Sequence, residues 1–160
     1  MARPPIGIIY GSKSDRSVMK ECRKVLTHFG VRAEEMVASS HRSPAKVREY
    51  AVSARERGIK VIIAGAGMAA HLAGTIASET TLPVIGVPLD ASLGGLDSLL
   101  STVQMPSGVP VAAVSVGKAG ARNAALLAIE IISLEDEKLE KKLVRFREKL
   151  RKSSWDEMGL

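Results

Sequence analysis

Aromatic side chains are nearly missing from this chain: phenylalanine, tyrosine and tryptophan make up 3% of its 160 residues. Without them there is no platform on which nucleic-acid bases could stack, so nucleic acid is not an expected partner. Cysteine occurs once, at Cys22, which excludes an internal disulfide and any metal site built on several thiolates. No apolar run approaches membrane-spanning length. The apolar stretch of residues 6–10 is too short for the h-region of a secretory leader, and a cytoplasmic setting is the expectation. Metal and nucleophile signatures are missing as well. His41 and His71 stand on separate segments without a HExxH pair, and neither a GxSxG elbow nor a Walker-type phosphate loop occurs.

What is present fits an ordinary globular chain. Hydrophobic residues reach 46% and charged residues 25%, and the length suits one domain spanning residues 1–160. The net charge is +6, from 23 Lys+Arg against 17 Asp+Glu. Such a balance raises the local concentration of anionic ligands. Much of the excess falls between residues 138 and 152, however, where it also reads as the solvated face of a basic helix.

Short apolar runs alternate with amphipathic segments, the pattern of a parallel α/β sheet. Strands are expected at residues 6–10, 31–38, 60–64, 83–88 and 109–116. The run Val61-Ile62-Ile63-Ala64 is continuously apolar, as suits a strand covered on both faces. Helices are expected at 14–29, 44–57, 70–80, 96–103, 120–133 and 135–152. In the first, Val18, Met19, Cys22, Val25, Leu26 and Phe29 share one stripe, and Gly30 is placed to end it. Ser43 and Pro44 read as an N-cap and first-turn pair. The alanine-rich fifth helix and the narrow stripe Leu139, Leu143, Phe146 and Leu150 of the sixth suit contacts between subunits or packing within one chain alike. The expected fold is a three-layer αβα sandwich of flavodoxin-like type, with about five strands in the order 2-1-3-4-5 and an extra C-terminal helix.

In that order the loops after the first three strands meet on one sheet edge, where open parallel sheets bind ligands. The first loop, Gly11-Ser12-Lys13-Ser14-Asp15, opens a helix whose free N–H groups suit a phosphate, with Asp15 suited to ribose hydroxyls. Ser12-x-x-Asp15 reads equally as a capping box without a ligand. The second, Ser39-Ser40-His41-Arg42-Ser43, compresses a histidine, an arginine and three hydroxyls into five positions. Imidazole exchanges protons near neutral pH, and guanidinium offers a fixed fork of donors to phosphate or carboxylate. Acid–base chemistry on an anionic small molecule follows. In the third loop, Gly65-x-Gly67-x-x-Ala70 with Asp90 further on mimics a dinucleotide fingerprint, a weak signal by itself. The same glycines let backbone approach any flat ligand. His71 reads as a functional group or as a packed or capping histidine. His28, in the last turn before Gly30, complements the helix dipole and is assigned no function.

The chain resembles the PurE family of purine biosynthesis, which carboxylates aminoimidazole ribonucleotide or rearranges its carbamate. The resemblance runs from about residue 8 to 132 and rests on ordered motifs: GSKSD at 11–15, SSHRSP at 39–44, RGIKVIIAGAG at 57–67, AAHLAG at 69–74, LPVIGVP at 82–88 and DSLLSTVQMPSGVPVA at 97–112. It implies His41 as catalytic acid/base, with Ser39 and Arg42 holding its loop and the substrate phosphate. Ser12 and Ser14 would bind phosphate and Asp15 ribose. Gly67, Ala69, Ala70, His71 and Leu72 would wall the imidazole base and the migrating carboxylate. It further implies a homo-octamer, with Gln104-Met105-Pro106 reaching a neighbouring site, and no metal or cofactor. The third-loop sequence is closer to the subclass that converts N5-carboxyaminoimidazole ribonucleotide to 4-carboxy-5-aminoimidazole ribonucleotide than to direct carboxylases using carbon dioxide. Three positions depart from the pattern: Met68 for glycine, Ala73 for proline and Arg16 for tryptophan. Direct carboxylation, and a non-enzymatic nucleotide-binding module, are the alternatives.

Overall fold

A computed structural model describes residues 3–159. Five parallel strands form one sheet: β1 (Ile6–Tyr10), β2 (Ala33–Val37), β3 (Val61–Gly67), β4 (Val84–Leu89) and β5 (Ala112–Ala113), in the order β2-β1-β3-β4-β5. Six helices connect and cover them: α1 (Arg16–Phe29), α2 (Pro44–Ser53), α3 (Leu72–Glu79), α4 (Leu96–Val103), α5 (Gly117–Ser133) and α6 (Glu137–Leu150). Both the expected fold class and the strand order are present.

Side-chain alternation sorts the strands onto two cores. Ile6, Ile8 and Tyr10 of β1 join Val61 and Ile63 of β3 under α1, α5 and α6. Ile9, Ile62 and Ala64 face the other way, against α2 and α3. Because helices cover both faces, β1 and β4 are buried at every residue. Each isoleucine or leucine fully removed from water stabilises the fold by about 1.5–3 kcal/mol. The stripe of α6 packs within the chain: Leu139, Leu143 and Phe146 are buried in the first core together with Phe29 of α1 and Ala125 and Ile129 of α5. Cys22 lies in the same core, where burial pushes its thiol up to about 12.

Element ends depart from expectation for local reasons. Strand β2 starts at Ala33 instead of residue 31, because Gly30 turns left-handed (φ 73°) and the Val31 N–H closes the end of α1 onto Leu26 O at 2.8 Å. Strand β3 runs on to Gly67, pairing Gly65 and Gly67 with Val87 and Leu89. Strand β5 keeps only two residues of the expected 109–116, since Val109 turns back onto Pro106 and Pro110 has no N–H to give a ladder. Helix α2 stops at Ser53 and gives way to turns through Gly58. Helix α3 starts at Leu72, because the His71 N–H turns back onto Ala69 O. Helix α5 begins three residues early, at Gly117. Asp136 caps α6 by accepting from the Lys138 and Leu139 N–H groups.

From β1 the chain passes to β2 on one side and then crosses to β3 on the other. This reversal leaves a crevice at the carboxyl ends of β1 and β3. Beyond it, Gly11 N–H bonds Gly65 O at 3.1 Å and Ala38 N–H bonds Tyr10 O at 3.1 Å, so three loops leave the sheet side by side.

Candidate active site

The loop after β1 is a short 3-10 turn, Lys13–Asp15, leading into α1. The capping box is formed: Ser12 N–H donates to Asp15 Oδ2 at 2.9 Å, and Ser14 N–H donates to Ser12 Oγ at 3.4 Å. The Ser12 and Ser14 hydroxyls lie 2.9 Å apart and line the cleft, so a cap and a pair of ligand-facing hydroxyls coexist. Burial raises the Asp15 carboxyl above its ordinary range, against the opposing pull of the Ser12 N–H, the Ser14 hydroxyl and the Arg42 charge.

The loop after β2 is knotted by its own serines. Ser43 N–H donates to Ser39 O at 2.9 Å, and the Ser43 hydroxyl donates to the same oxygen at 3.1 Å while accepting from Ser39 N–H at 3.2 Å. Ser43 occupies the N-cap position of α2 but makes no side-chain cap bond, a correction to its expected role. Its hydroxyl is spent closing the loop. Ser39 Oγ accepts from the Arg42 N–H at 3.3 Å, and Arg42 Nη2 reaches across to Gly11 O at 3.2 Å, tying the second loop to the first.

His41 projects from the tip of that knot. Its Nε2 lies 2.8 Å from Nδ1 of His71, and the two rings stand edge to face at 82°. One ring nitrogen must donate and the other accept, so at most one proton occupies that contact. His71 sits at the N-cap position of α3 and makes no side-chain cap bond there. The capping alternative is therefore not the one its ring adopts.

The third loop approaches closely because Gly67 has no side chain: a Cβ there would fall 2.7 Å from Ala91 Cβ. Met68 follows in the left-handed region (φ 55°) and is 60% exposed. A glycine would sit there without strain, which gives the departure noted at this position a backbone cost. Ala73 is buried against Ile76 and Val84, so packing holds the start of α3 in place of a proline ring. Arg16 does not line the cleft; its Nε donates to Tyr10 Oη at 3.2 Å, and Tyr10 in turn donates to Glu35.

Together these loops enclose a cleft of about 530 Å³. Ser12, Ser14, Asp15, Ser39, His41 and Arg42 line one side, and Gly67, Ala69 and Leu72 the other. Ala70 is buried behind the wall at 2% exposure, and His71 stands at the rim against His41. Ser40, Ala66, Met68 and Ala91 also line the cleft, although sequence reasoning did not single them out as site residues. The signal for Ala91 lay in the fold itself: it follows β4, the next strand to end on the same edge. Among the described residues no three His, Cys, Asp or Glu side chains gather as a metal-ligand set. The cleft thus offers hydroxyls and a guanidinium to an anion, a carboxyl to hydroxyls, small side chains to a flat ring, and an imidazole pair for proton transfer.

Comparison with known proteins agrees with this geometry. The family model described as AIR carboxylase matches residues 5–153. N5-carboxyaminoimidazole ribonucleotide mutase of Bacillus subtilis is 58% identical over 147 residues, covering 91% of each chain. The enzyme of that name from Pyrococcus abyssi is 55% identical over 150 residues, covering 93% of this chain and 85% of its own. Among solved structures, Treponema denticola PurE superposes with a TM-score of 0.80 at 28% identity, covering 94% of this chain and 93% of its own. The chain belongs to the AIR carboxylase family.

Proposed function

We propose that this chain is an N5-carboxyaminoimidazole ribonucleotide mutase of purine biosynthesis, working as one catalytic unit in the cytoplasm with His41 as its acid and base. The observation that carries the reading is the convergence of three loops on one cleft with the His41 ring at its mouth. The names of relatives at 58% and 55% identity give the reaction.

In this reading the substrate phosphate meets Ser12, Ser14 and Arg42, and Asp15 holds the ribose hydroxyls. The base lies against Gly67, Ala69 and Leu72, with Ala70 and His71 behind and beside it. Protonated His41 delivers its proton to the exocyclic nitrogen, and the carbamate C–N bond breaks, its electron pair going to that nitrogen. Carbon dioxide is released beside the ring. The neighbouring ring carbon attacks it, forming the new C–C bond. His41, now neutral, removes the proton from that carbon and restores aromaticity. The proton budget closes on His41 alone. Holding carbon dioxide next to the ring is worth about 7–11 kcal/mol as effective molarity, and a positioned acid–base group about 10²–10⁴-fold.

Direct carboxylation is the second reading, favoured by the family model's own description. Isotope tracing separates the two. With labelled carbamate and unlabelled dissolved carbon dioxide, a mutase retains most of the label in the product. A product that equilibrates with the dissolved pool, or no reaction without added carbon dioxide, would favour the carboxylase. The homo-octamer carried by the resemblance is supported by an exposed apolar stripe on α4, formed by Leu96, Leu100 and Val103. Light scattering on a Leu100→Asp variant tests it: smaller species are expected, and an unchanged mass would free that face from the interface.

A further inference from the structure

A second cavity lies far from the cleft, and its lining is written into the spacing of α6. Lys142, Arg145 and Lys149 recur every three or four residues and so share one helical face. They border a cavity of about 460 Å³ in which the exposed His28 ring is backed by the buried rings of Phe29 and Phe146. There His28 meets Phe29 edge to face at 5.4 Å and Phe146 at 6.3 Å, and Phe29 and Phe146 are themselves 5.3 Å apart. This volume falls in the range of small-molecule pockets, about 300–1,000 Å³. Helix α1 begins at the catalytic edge and runs back across the sheet to Phe29. Its 14 residues set the two cavities about 21 Å apart along the helix.

The three cations are not neutralised alike. Lys142 donates to Phe29 O at 2.8 Å, closing the end of α1. Neighbouring cations on other faces of α6 are paired, Lys141 with Glu137 and Arg147 with Glu130. Among the described residues, Arg145 and Lys149 have neither an ion pair nor a side-chain hydrogen bond, and like charges so spaced on a helix repel. The one carboxylate in the lining, Glu157, is turned onto the backbone, accepting from Ser154 N–H at 2.6 Å. Two free cations beside an exposed aromatic ring match a ligand that is anionic at one end and flat at the other.

We propose that this corner binds a phosphorylated aromatic small molecule of nucleotide type, its phosphate between Arg145 and Lys149 and its ring against the exposed His28 ring. The assignment is independent of the reading of the catalytic cleft. The only tryptophan, Trp155, lies 5.8 Å from the Phe146 ring and reports on the site by fluorescence. The full-length protein is titrated with AMP, with adenosine and with inorganic pyrophosphate. A saturable change with AMP is expected, with little response to adenosine and weaker binding of pyrophosphate. The exposed pair R145A/K149A should weaken AMP about tenfold or more, while Arg42→Ala in the distant cleft should leave the signal intact. No saturable change, or equal AMP affinity in wild type and R145A/K149A, would overturn the site. A signal lost in Arg42→Ala would assign the response to the catalytic cleft instead. Pyrophosphate binding as tightly as AMP would overturn the aromatic half of the assignment.

Discussion

Arg42 and Met68 show how single side chains set the cleft. Arg42 is exposed, yet its guanidinium is anchored to Gly11 O, so it is held near the two serine hydroxyls before any ligand arrives. Preorganisation of this kind lowers the entropy lost on binding. Arg42→Ala should weaken binding of the ribonucleotide by about 1.5–3 kcal/mol, the worth of a hydrogen bond to a charged group. Calorimetry checks this, and an unchanged dissociation constant would remove Arg42 from the phosphate site. Met68 is the reverse case, a side chain placed where the backbone favours glycine. The left-handed conformation costs an ordinary residue about 1–2 kcal/mol, and glycine's extra freedom in the unfolded chain offsets part of that. Met68→Gly is expected to stabilise the fold by about 0.5–1 kcal/mol, read as a higher urea midpoint; a lower midpoint would mean that the Met68 side chain contributes packing that outweighs its strain.

At the level of elements, the sequence spoke clearly where one force dominated and poorly where several competed. Strand β1 carries the expected bounds because burial alone dictates them, and helix α4 keeps its own because the left-handed Gly95 sets its start. Strand β5 shrinks to two residues because its apolar pattern says nothing about where Pro110 interrupts the ladder. Ser43 looked like a cap, but the carbonyl and the N–H of Ser39, four residues back, offered its hydroxyl a better arrangement inside the loop. The tie between α1 and α5 was not legible at all, since it joins residues 101 apart: Arg122 Nη2 bonds Glu21 Oε2 at 2.6 Å, and Lys24 bonds Oε1 at 2.7 Å. The hydrogen bond from Lys24, then that from Arg122, holds the Glu21 carboxyl below its ordinary range against the cost of its burial. A carboxyl lowered in the folded state stabilises above its ordinary range, and that stability disappears as pH falls through the lowered value. Glu21→Gln should therefore cost about 1.5–3 kcal/mol at neutral pH, with the difference from wild type closing in acid. Denaturant titrations at two pH values check this, and a difference that persists in acid would contradict it.

Over the whole molecule, the catalytic edge was readable in advance because a parallel sheet in the order 2-1-3-4-5 forces the loops of its first strands together. What topology could not supply was the contact between His41 and His71, 30 positions apart, or the left-handed turn at Met68. Those depend on loop conformations that small residues permit without specifying. The central claim is that the imidazole at position 41 moves the proton that makes and breaks the carbon dioxide bond. Its most direct measurement is the single-turnover conversion of N5-carboxyaminoimidazole ribonucleotide by His41→Asn, alongside calorimetric binding of the same compound. The account predicts that the chemical step slows by about 10²–10⁴-fold while affinity and melting temperature stay close to wild type. A folded His41→Asn protein that turns over at the wild-type rate would contradict it.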